Sequence, residues 1–269
     1  MSRDPCRLLR LDLHVHSDRS DGKFPVEEVL RRAGLAKIDV LAIADHDLAP
    51  ELPAGIVEVE GHAVRLLAAA EVSGVHDGKE LHLLVYFRGQ PPAEATTFLQ
   101  GRCQARAERF DRAAERLGLT DSADADALAG TRSLTRHHLA QALTRAGKVA
   151  RQSDAWRHLG RDVVPLIEFT YLDAIRLARS WGALTSWAHP ALADANLYLD
   201  AFVKAGLQGV EASRPGLDRP TRNGLRRLAK KHDILVTGGS DWHGWWPGNL
   251  GDFRFDDEHA RRFIEHLDA

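Results

Sequence analysis

Residues Leu11 to Ser17 read L-D-L-H-V-H-S. Apolar–polar alternation predicts a strand here, from Leu9 to Val15. Positions two apart on a strand face the same side, so His14 and His16 point inward together. Two inward imidazoles beside Leu11, Leu13 and Val15 are costly to bury unless they share a partner. The stretch therefore predicts a strand that ends in a pair of metal ligands, and the same device recurs along the chain. Asp21 follows in S-D-G, His46 in A-D-H-D, Glu71 in A-E-V-S-G, His82 in E-L-H-L-L, His189 in W-A-H-P, and Asp241 with His243 in G-S-D-W-H. Glu71 closes the apolar run L-L-A-A-A-E-V, where an unpaired carboxylate would be expensive. Pro190 fixes the turn that carries His189 out of its strand, and Asp45 or Asp47 is expected to orient the His46 ring from behind. These nine candidates exceed what one ion can use, and mixed imidazole and carboxylate donors suit Zn, Mn or Fe. The set implies a multi-metal hydrolytic site. The remaining histidines (His62, His76, His137, His158, His232, His259 and His266) read as surface or hydrogen-bonded residues.

Where these residues fall sets the expected fold. Strands are predicted at Leu9–Val15, Asp39–Ala44, Leu66–Val72, Glu80–Phe87, Ala183–Ala188, Gly209–Ala212 and Ile234–Thr237. Helices are predicted at Pro25–Ala36, Leu172–Trp181, Leu197–Ala205, Pro220–Lys231 and Asp257–Leu267. Strand–helix alternation of this kind argues a parallel α/β barrel. His16, His46, Glu71, His189 and Asp241 each sit at or just past the C-terminal end of a predicted strand, and in such a barrel those ends meet on one face. Between Ala93 and about Gly160 the chain is Ala- and Arg-rich with helical periodicity. It reads as a helical insertion broken near Gly118 and Gly130, which gives a barrel of 1–90 and 166–269 with an inserted helical cap at 91–165.

Composition narrows the function classes. At 269 residues the chain can bury a real core, and 44% hydrophobic with 28% charged residues is ordinary for a soluble globular protein. A net charge of −2 provides no global field to gather nucleic acid without sequence preference. Cys6 and Cys103 are far apart and form no CxxC pattern, which fits a reducing cytoplasm better than a disulfide scaffold. The N-terminus lacks the apolar core of a signal peptide, and no run approaches a membrane span. A cytoplasmic protein without membrane association is expected, with oligomeric state left open.

Taken in order and spacing, H-V-H-S, S-D-G, A-D-H-D, A-E-V-S, E-L-H-L, A-H-P and G-S-D-W-H resemble the polymerase and histidinol phosphatase (PHP) family over nearly the whole chain. Within it, the insertion segment S-L-T-R-H-H-L-A-Q-A-L is similar to the T-R-x-H segment of the 3′,5′-bisphosphate nucleotidase and 5′→3′ exoribonuclease subgroup. The resemblance implies a distorted seven-stranded α/β barrel holding three divalent ions of Mn, Fe or Zn. It implies His14, His16, Glu71 and Asp241 at one ion, Asp21, His46 and His243 at a second, and Glu71, His82 and His189 at the third. One departure is visible: after A-D-H-D the chain runs L-A-P-E-L-P-A-G, too short and too proline-rich for the helix that usually follows there.

Phosphoester hydrolysis suits such a set, because adjacent divalent ions activate a water and stabilise the attacking and leaving oxygens. Asp241, His243 and Glu71 are the candidates for the chemical step, with His243 or Asp241 also placed to assist proton transfer. Arg136 and His138 are the candidate substrate contacts, since a guanidinium fork matches phosphate oxygens. Trp242, Trp245 and Trp246 are candidate base-stacking residues at the rim. The expected substrate is a phosphorylated nucleotide or small molecule, or short single-stranded RNA. Two alternatives stay open: a phosphatase of a small monoester such as histidinol phosphate, and a catalytically silent metal-binding module that regulates a partner.

Overall fold

The computed structural model describes residues 8–50, 52–119, 131–245, 248–255 and 257–269. The elements follow in the order β1 (Leu11–Val15), α1 (Val26–Leu35), β2 (Val40–Ile43), β3 (Gly55–Val59), β4 (His62–His76), β5 (Lys79–Tyr86), α2 (Ala93–Arg116) and α3 (Arg136–Arg145). They continue with α4 (Gln152–Ala155), a 3-10 turn at Trp156–His158, α5 (Tyr171–Ser180), β6 (Leu184–Trp187), α6 (Leu192–Ala205), β7 (Gly209–Ser213), α7 (Arg219–Lys231), β8 (Leu235–Gly238) and α8 (Asp257–Asp268). One curled sheet runs β1-β2-β4-β5-β6-β7-β8, with β3 hairpinned onto β4.

The sheet is mixed, which corrects the expected parallel arrangement. Neighbours β1–β2, β2–β4, β6–β7 and β7–β8 are parallel, whereas β5 runs antiparallel to both β4 and β6. The cause is local. Asp77 and Gly78 both have positive φ, at 47° and 67°, between the paired residues His76 and Lys79. A two-residue turn of that hand makes a hairpin and leaves no chain for a crossover helix. Glu60 and Gly61 (φ 52° and 65°) repeat the device and create β3, a strand the sequence reading missed. That hairpin occupies the place after His46 where the sequence is too short and too proline-rich for a helix. β4 is also longer than expected, so Glu71 lies within it rather than at its end.

The main core fills the space between the sheet and helices α5 to α8, with Tyr86, Tyr171, Trp187, Phe202 and Phe263 its largest fully buried side chains. A second cluster packs α1 against β1, β2 and the β3–β4 hairpin through Val29, Leu30, Leu41 and Leu66. Helices α2 and α3 and the segment that follows have their own cluster, built on Ala113, Leu139, Leu143 and Leu159. Gly118, in the left-handed region (φ 65°), lies just past the end of α2, as the expected break requires, and Gly130 lies outside the described residues. The two ends of the sheet meet beyond β8: the Asp241 N–H donates to His14 O (2.8 Å) and the His16 N–H to Trp242 O (3.0 Å). A Cβ on Gly239 would stand 2.3 Å from the His14 Cβ, so only glycine allows this approach.

Candidate metal centre

Glu71 is the hub of the site. It is fully buried, and its Oε1 lies 3.0 Å from His82 Nδ1, 3.0 Å from His189 Nε2 and 3.3 Å from His14 Nε2. Its Oε2 lies 3.0 Å from His46 Nδ1 and 3.3 Å from His16 Nε2. Five imidazoles from four stretches of sequence thus converge on one carboxylate. Asp241 Oδ1 joins at 3.3 Å from His16 Nε2 and 3.5 Å from His14 Nε2. Asp21 holds the far side, 3.2 Å from His243 Nε2 and 3.6 Å from His46 Nε2. All nine residues singled out from the sequence fall in this one cluster.

The reversed strand explains how His82 arrives. It lies early in β5, and because β5 runs backwards that end is level with Ser73 of β4, two residues beyond Glu71. His189 and Asp241 take left-handed φ values of 36° and 53°, uncommon for residues with a Cβ. Each is held there by its own backbone: the His189 N–H donates to Glu211 Oε2 (2.8 Å), and the Asp241 N–H to His14. Strain held in place by surrounding bonds is typical of functional positions.

The donor set fits divalent ions. Ligands about 2.1 Å from a tetrahedral ion stand roughly 3.4 Å apart, and the contacts above cluster around that spacing. Ligand atoms of His16, Asp21, His46 and His243 lie within 4.8 Å of one another, as do those of His14, His16 and Glu71, and of His46, Glu71 and His82. His46 Nδ1 and Glu71 Oε2 are buried and make no well-formed hydrogen bond, which is expensive for a site meant to hold only protein. The electrostatics agree. Burial alone would discharge the imidazoles, and it does hold His46 down to about 3. His16 is instead raised to about 10 against its burial by Asp241 and Glu71, and Glu71, Asp241 and Glu211 raise His14 in the same way. The carboxylates thus draw in positive charge, which bound cations would supply in place of those protons.

Several supporting residues escaped the sequence reading. Glu211 is fully buried on β7 and contacts His14 Nδ1 at 3.2 Å while holding the His189 N–H. Its signal, a carboxylate in the apolar run G-V-E-A-S, is the one that identified Glu71. Asp45 and Asp47 do not orient the His46 ring. Asp45 accepts from the Ser17 N–H and from the Ser17 and Ser20 hydroxyls, and so shapes the loop that bears Asp21. Asp47 accepts from the Ser73 N–H and from Arg106 Nε (2.7 Å), with Arg102 Nε at 3.4 Å, and so ties α2 to the strand that carries Glu71.

A cavity of about 220 Å³ opens over the cluster, walled by Asp21, His46, His82 and His243 on one side and by Arg106, Arg109, Arg136, Phe110 and Trp156 on the other. Arg136 stands exposed at its edge, at the first position of α3. His138 does not line it: its Nδ1 accepts the Thr135 N–H (3.0 Å) in a capping box. His137, set aside from sequence, lines the cavity in its place. The tryptophans differ as well. Trp242 stacks on Phe24 (5.6 Å, 9°), Trp245 donates to Asp21 O (2.7 Å) and packs against His137, and Trp246 lies outside the described residues. Among the described residues, Trp156, 47% exposed, is the tryptophan that lines the cavity.

Comparison with known proteins agrees with this arrangement. The PHP domain matches residues 12–152. A 5′-3′ exoribonuclease of Haemophilus influenzae is 27% identical over 88% of this chain and 92% of its own length. A phosphoribosyl 1,2-cyclic phosphate 1,2-diphosphodiesterase of Eggerthella lenta is 30% identical, covering 87% and 94%. A 3′,5′-nucleoside bisphosphate phosphatase of Chromobacterium violaceum is 26% identical, covering 91% and 90%. Among solved structures, a protein of Bifidobacterium adolescentis described as a metal-dependent phosphoesterase superposes with a TM-score of 0.79 at 26% identity, over 96% of both chains.

Proposed function

This chain belongs to the PHP-domain family of metal-dependent phosphoesterases, and on that premise we propose that it hydrolyses phosphate esters of nucleotides. The substrates proposed are 3′,5′-bisphosphonucleotides or the 5′ ends of short RNA. The observation that carries this reading is the cavity itself. Its floor is the histidine–carboxylate cluster, and its opposite wall joins arginines to aromatic side chains, the pair of chemistries that a nucleotide's phosphate and base require. The relatives named above act on nucleotide phosphates, a cyclic phosphate and RNA, which supports the class.

In this reading the fold is a distorted α/β barrel, with residues 91–165 as a cap that bears Arg136 and Trp156. Three ions would be held by His14, His16, Glu71 and Asp241; by Asp21, His46 and His243; and by Glu71, His82 and His189. When bound, such ions activate water and stabilise the charge that develops on the phosphoryl oxygens. The chain's own groups do the rest. Glu71 bridges two donor groups, and Glu211 fixes His14 and the backbone of His189. Asp241, partly exposed beside His243, is placed to take a proton from the attacking water. Arg136 holds a phosphate remote from the scissile one.

The test is phosphate release by the Mn-loaded protein from adenosine 3′,5′-bisphosphate, 5′-phosphorylated short RNA, histidinol phosphate and p-nitrophenyl phosphate side by side. The nucleotide substrates should exceed the small monoesters in kcat/KM. A preference for histidinol phosphate would replace the reading with the small-monoester one, and no turnover of any substrate would leave a regulatory module.

A further inference from the structure

Helix α7 is charged unlike its neighbours. Its 13 residues, R-P-T-R-N-G-L-R-R-L-A-K-K, hold six cations and no carboxylate, in a chain of net charge −2. Other outer helices interleave the two signs and pair them: Glu28 with Arg31 and Arg32 on α1, Asp173 with Arg176 on α5, and Asp200 with Lys204 on α6. On α7 the pairs Arg222–Arg226, Arg226–Lys230 and Arg227–Lys231 instead set like charges one turn apart, each a small cost to the helix. Cations in the first turn, such as Arg219, also oppose the helix dipole. Packing does not require them, since Gly224, Leu225 and Ala229 form the buried side. Carboxylates close by in sequence are engaged: Asp218 caps α7 through the Thr221 N–H (2.8 Å), and Asp233 meets Arg262 (3.1 Å). Arg219, Arg227 and Lys230 make no side-chain hydrogen bond or ion pair among the described residues, and with Lys231 they are exposed. Helical spacing puts these four on one outward line, roughly 18 Å long at 1.5 Å per residue.

The line starts beside the metal centre. Strand β7 runs parallel to β6 and β8, so α7 leaves it on the face where His189 and Asp241 follow those two strands. Gly224 packs there against Leu192, just past His189, and a Cβ on it would stand 2.7 Å from Leu192 Cδ2. From that face the cations run away along the outside of the sheet. We propose that α7 is a track for the backbone of single-stranded RNA, with the strand that trails from a 5′ end at the metal centre lying along Arg219, Arg227, Lys230 and Lys231. The inference rests on the nucleotide phosphoesterase reading and deepens it, because such a track favours a polymer over a mononucleotide. A strand carries one phosphate per nucleotide, so cations one turn apart engage several of them together. Contacts of this kind hold the backbone without reading sequence, and salt weakens them.

The test compares the unaltered protein with Arg227→Glu/Lys230→Glu/Lys231→Glu and with the milder Arg227→Gln/Lys230→Gln/Lys231→Gln. Binding of the Mn-loaded protein to a fluorescein-labelled, 5′-phosphorylated RNA decamer with cleavage-resistant phosphorothioate linkages is read by anisotropy. Turnover is measured on an unmodified decamer, a 5′-phosphorylated dinucleotide and p-nitrophenyl phosphate. The Glu variant should bind the decamer about tenfold or more weakly, and the Gln variant should fall between it and the unaltered protein. Each phosphate contact on a single strand contributes about −0.7 to the slope of log affinity against log salt, so losing three should flatten that slope by about 2. Both variants should keep kcat/KM on p-nitrophenyl phosphate and the dinucleotide, and lose it on the decamer through KM. If the Glu variant also fails on p-nitrophenyl phosphate it is misfolded, and the Gln variant decides. Unchanged decamer affinity and slope overturn the track and leave the nucleotide reading standing. Weaker binding to phosphatidylglycerol vesicles with decamer affinity unchanged also overturns it, and assigns the helix to an anionic membrane surface. An unaltered protein that cleaves p-nitrophenyl phosphate but neither RNA removes the nucleotide reading and the track with it.

Discussion

Single side chains in this protein carry unequal burdens, and Glu71 carries the greatest. Five imidazoles within 3.3 Å of its two oxygens make it the common member of two donor groups. Glu71→Gln should abolish detectable turnover while far-ultraviolet circular dichroism stays native; near-full activity would mean the site is misplaced. Glu211 acts one layer out. Partners that orient a ligand from behind are typically worth 10–100-fold in metal affinity, so Glu211→Gln should weaken Mn binding by about that factor in a chelator competition. His138 offers a different test because its role is to cap α3. Burial holds it neutral, with its pKa lowered to about 4 from the ordinary value near 6.5. The folded chain therefore binds this proton less readily than the unfolded one, and the stability His138 contributes is present above pH 6.5 and lost as pH falls towards 4. Between pH 7 and 5 the loss is about 2 kcal/mol, at roughly 1.4 kcal/mol per pH unit across that window. His138→Gln keeps a capping-box side chain without the titration, so its melting temperature should fall less over the same interval; an equal fall would assign the pH dependence elsewhere.

At the scale of elements, the junctions decide the site more than the strands do. The Asp77–Gly78 turn reverses β5 and brings His82 to the ligand face. The close approach of Gly239 to His14 lets the last strand deliver Asp241 beside the first. Gly239→Ala should therefore cost about 1–3 kcal/mol in urea denaturation and lower Mn affinity together, since the added methyl must displace β1. If affinity holds while stability drops, the two sheet ends move independently. The α2 helix is joined to the same face by a buried ionic contact. Arg106 and Arg102 hold Asp47 at about 2 despite its burial, and Arg106 also donates to the Ser73 hydroxyl and Leu134 O. Removing one member of a buried pair leaves a stranded charge, typically at about 3–5 kcal/mol, so Arg106→Met should lower the melting temperature by roughly 6–20 °C. A shift of a degree or two would show that Arg102 alone suffices for Asp47.

Over the whole molecule, binding and folding are coupled through the metal centre. Strands β1, β4, β5 and the segments after β2, β6 and β8 all lend ligand atoms to one cluster, so cations bound there favour only the assembled sheet. At free metal about a hundred times Kd, one site adds roughly 2.7 kcal/mol. Protein stripped by chelator and dialysed should melt several degrees lower and recover on adding Mn, and elemental analysis of the loaded protein should approach three ions per chain. Melting that ignores metal would mean the site is formed without it. No helix among the described residues is long and apolar enough to cross a membrane.

The nine clustered residues and most helices and strands were legible in the sequence, because each signal is local. An imidazole or carboxylate on an apolar run is costly wherever the strand lies, and hydrophobic periodicity reports one element at a time. Asp77–Gly78 and Glu60–Gly61 are equally local hairpin signals that hydrophobic periodicity does not report, so β3 and the reversal of β5 came only from the structure. Other features depend on which elements meet. Asp47 could as well have served His46 as α2, His138 rather than His137 could have faced the cavity, and nothing in their neighbours along the chain separates those choices. The pairing of Glu211 with His14 is likewise a product of contact between distant segments. Sequence determines which side chains need a partner, and only the tertiary structure decides which partner they receive, because packing joins segments whose separation along the chain says nothing of their distance in space.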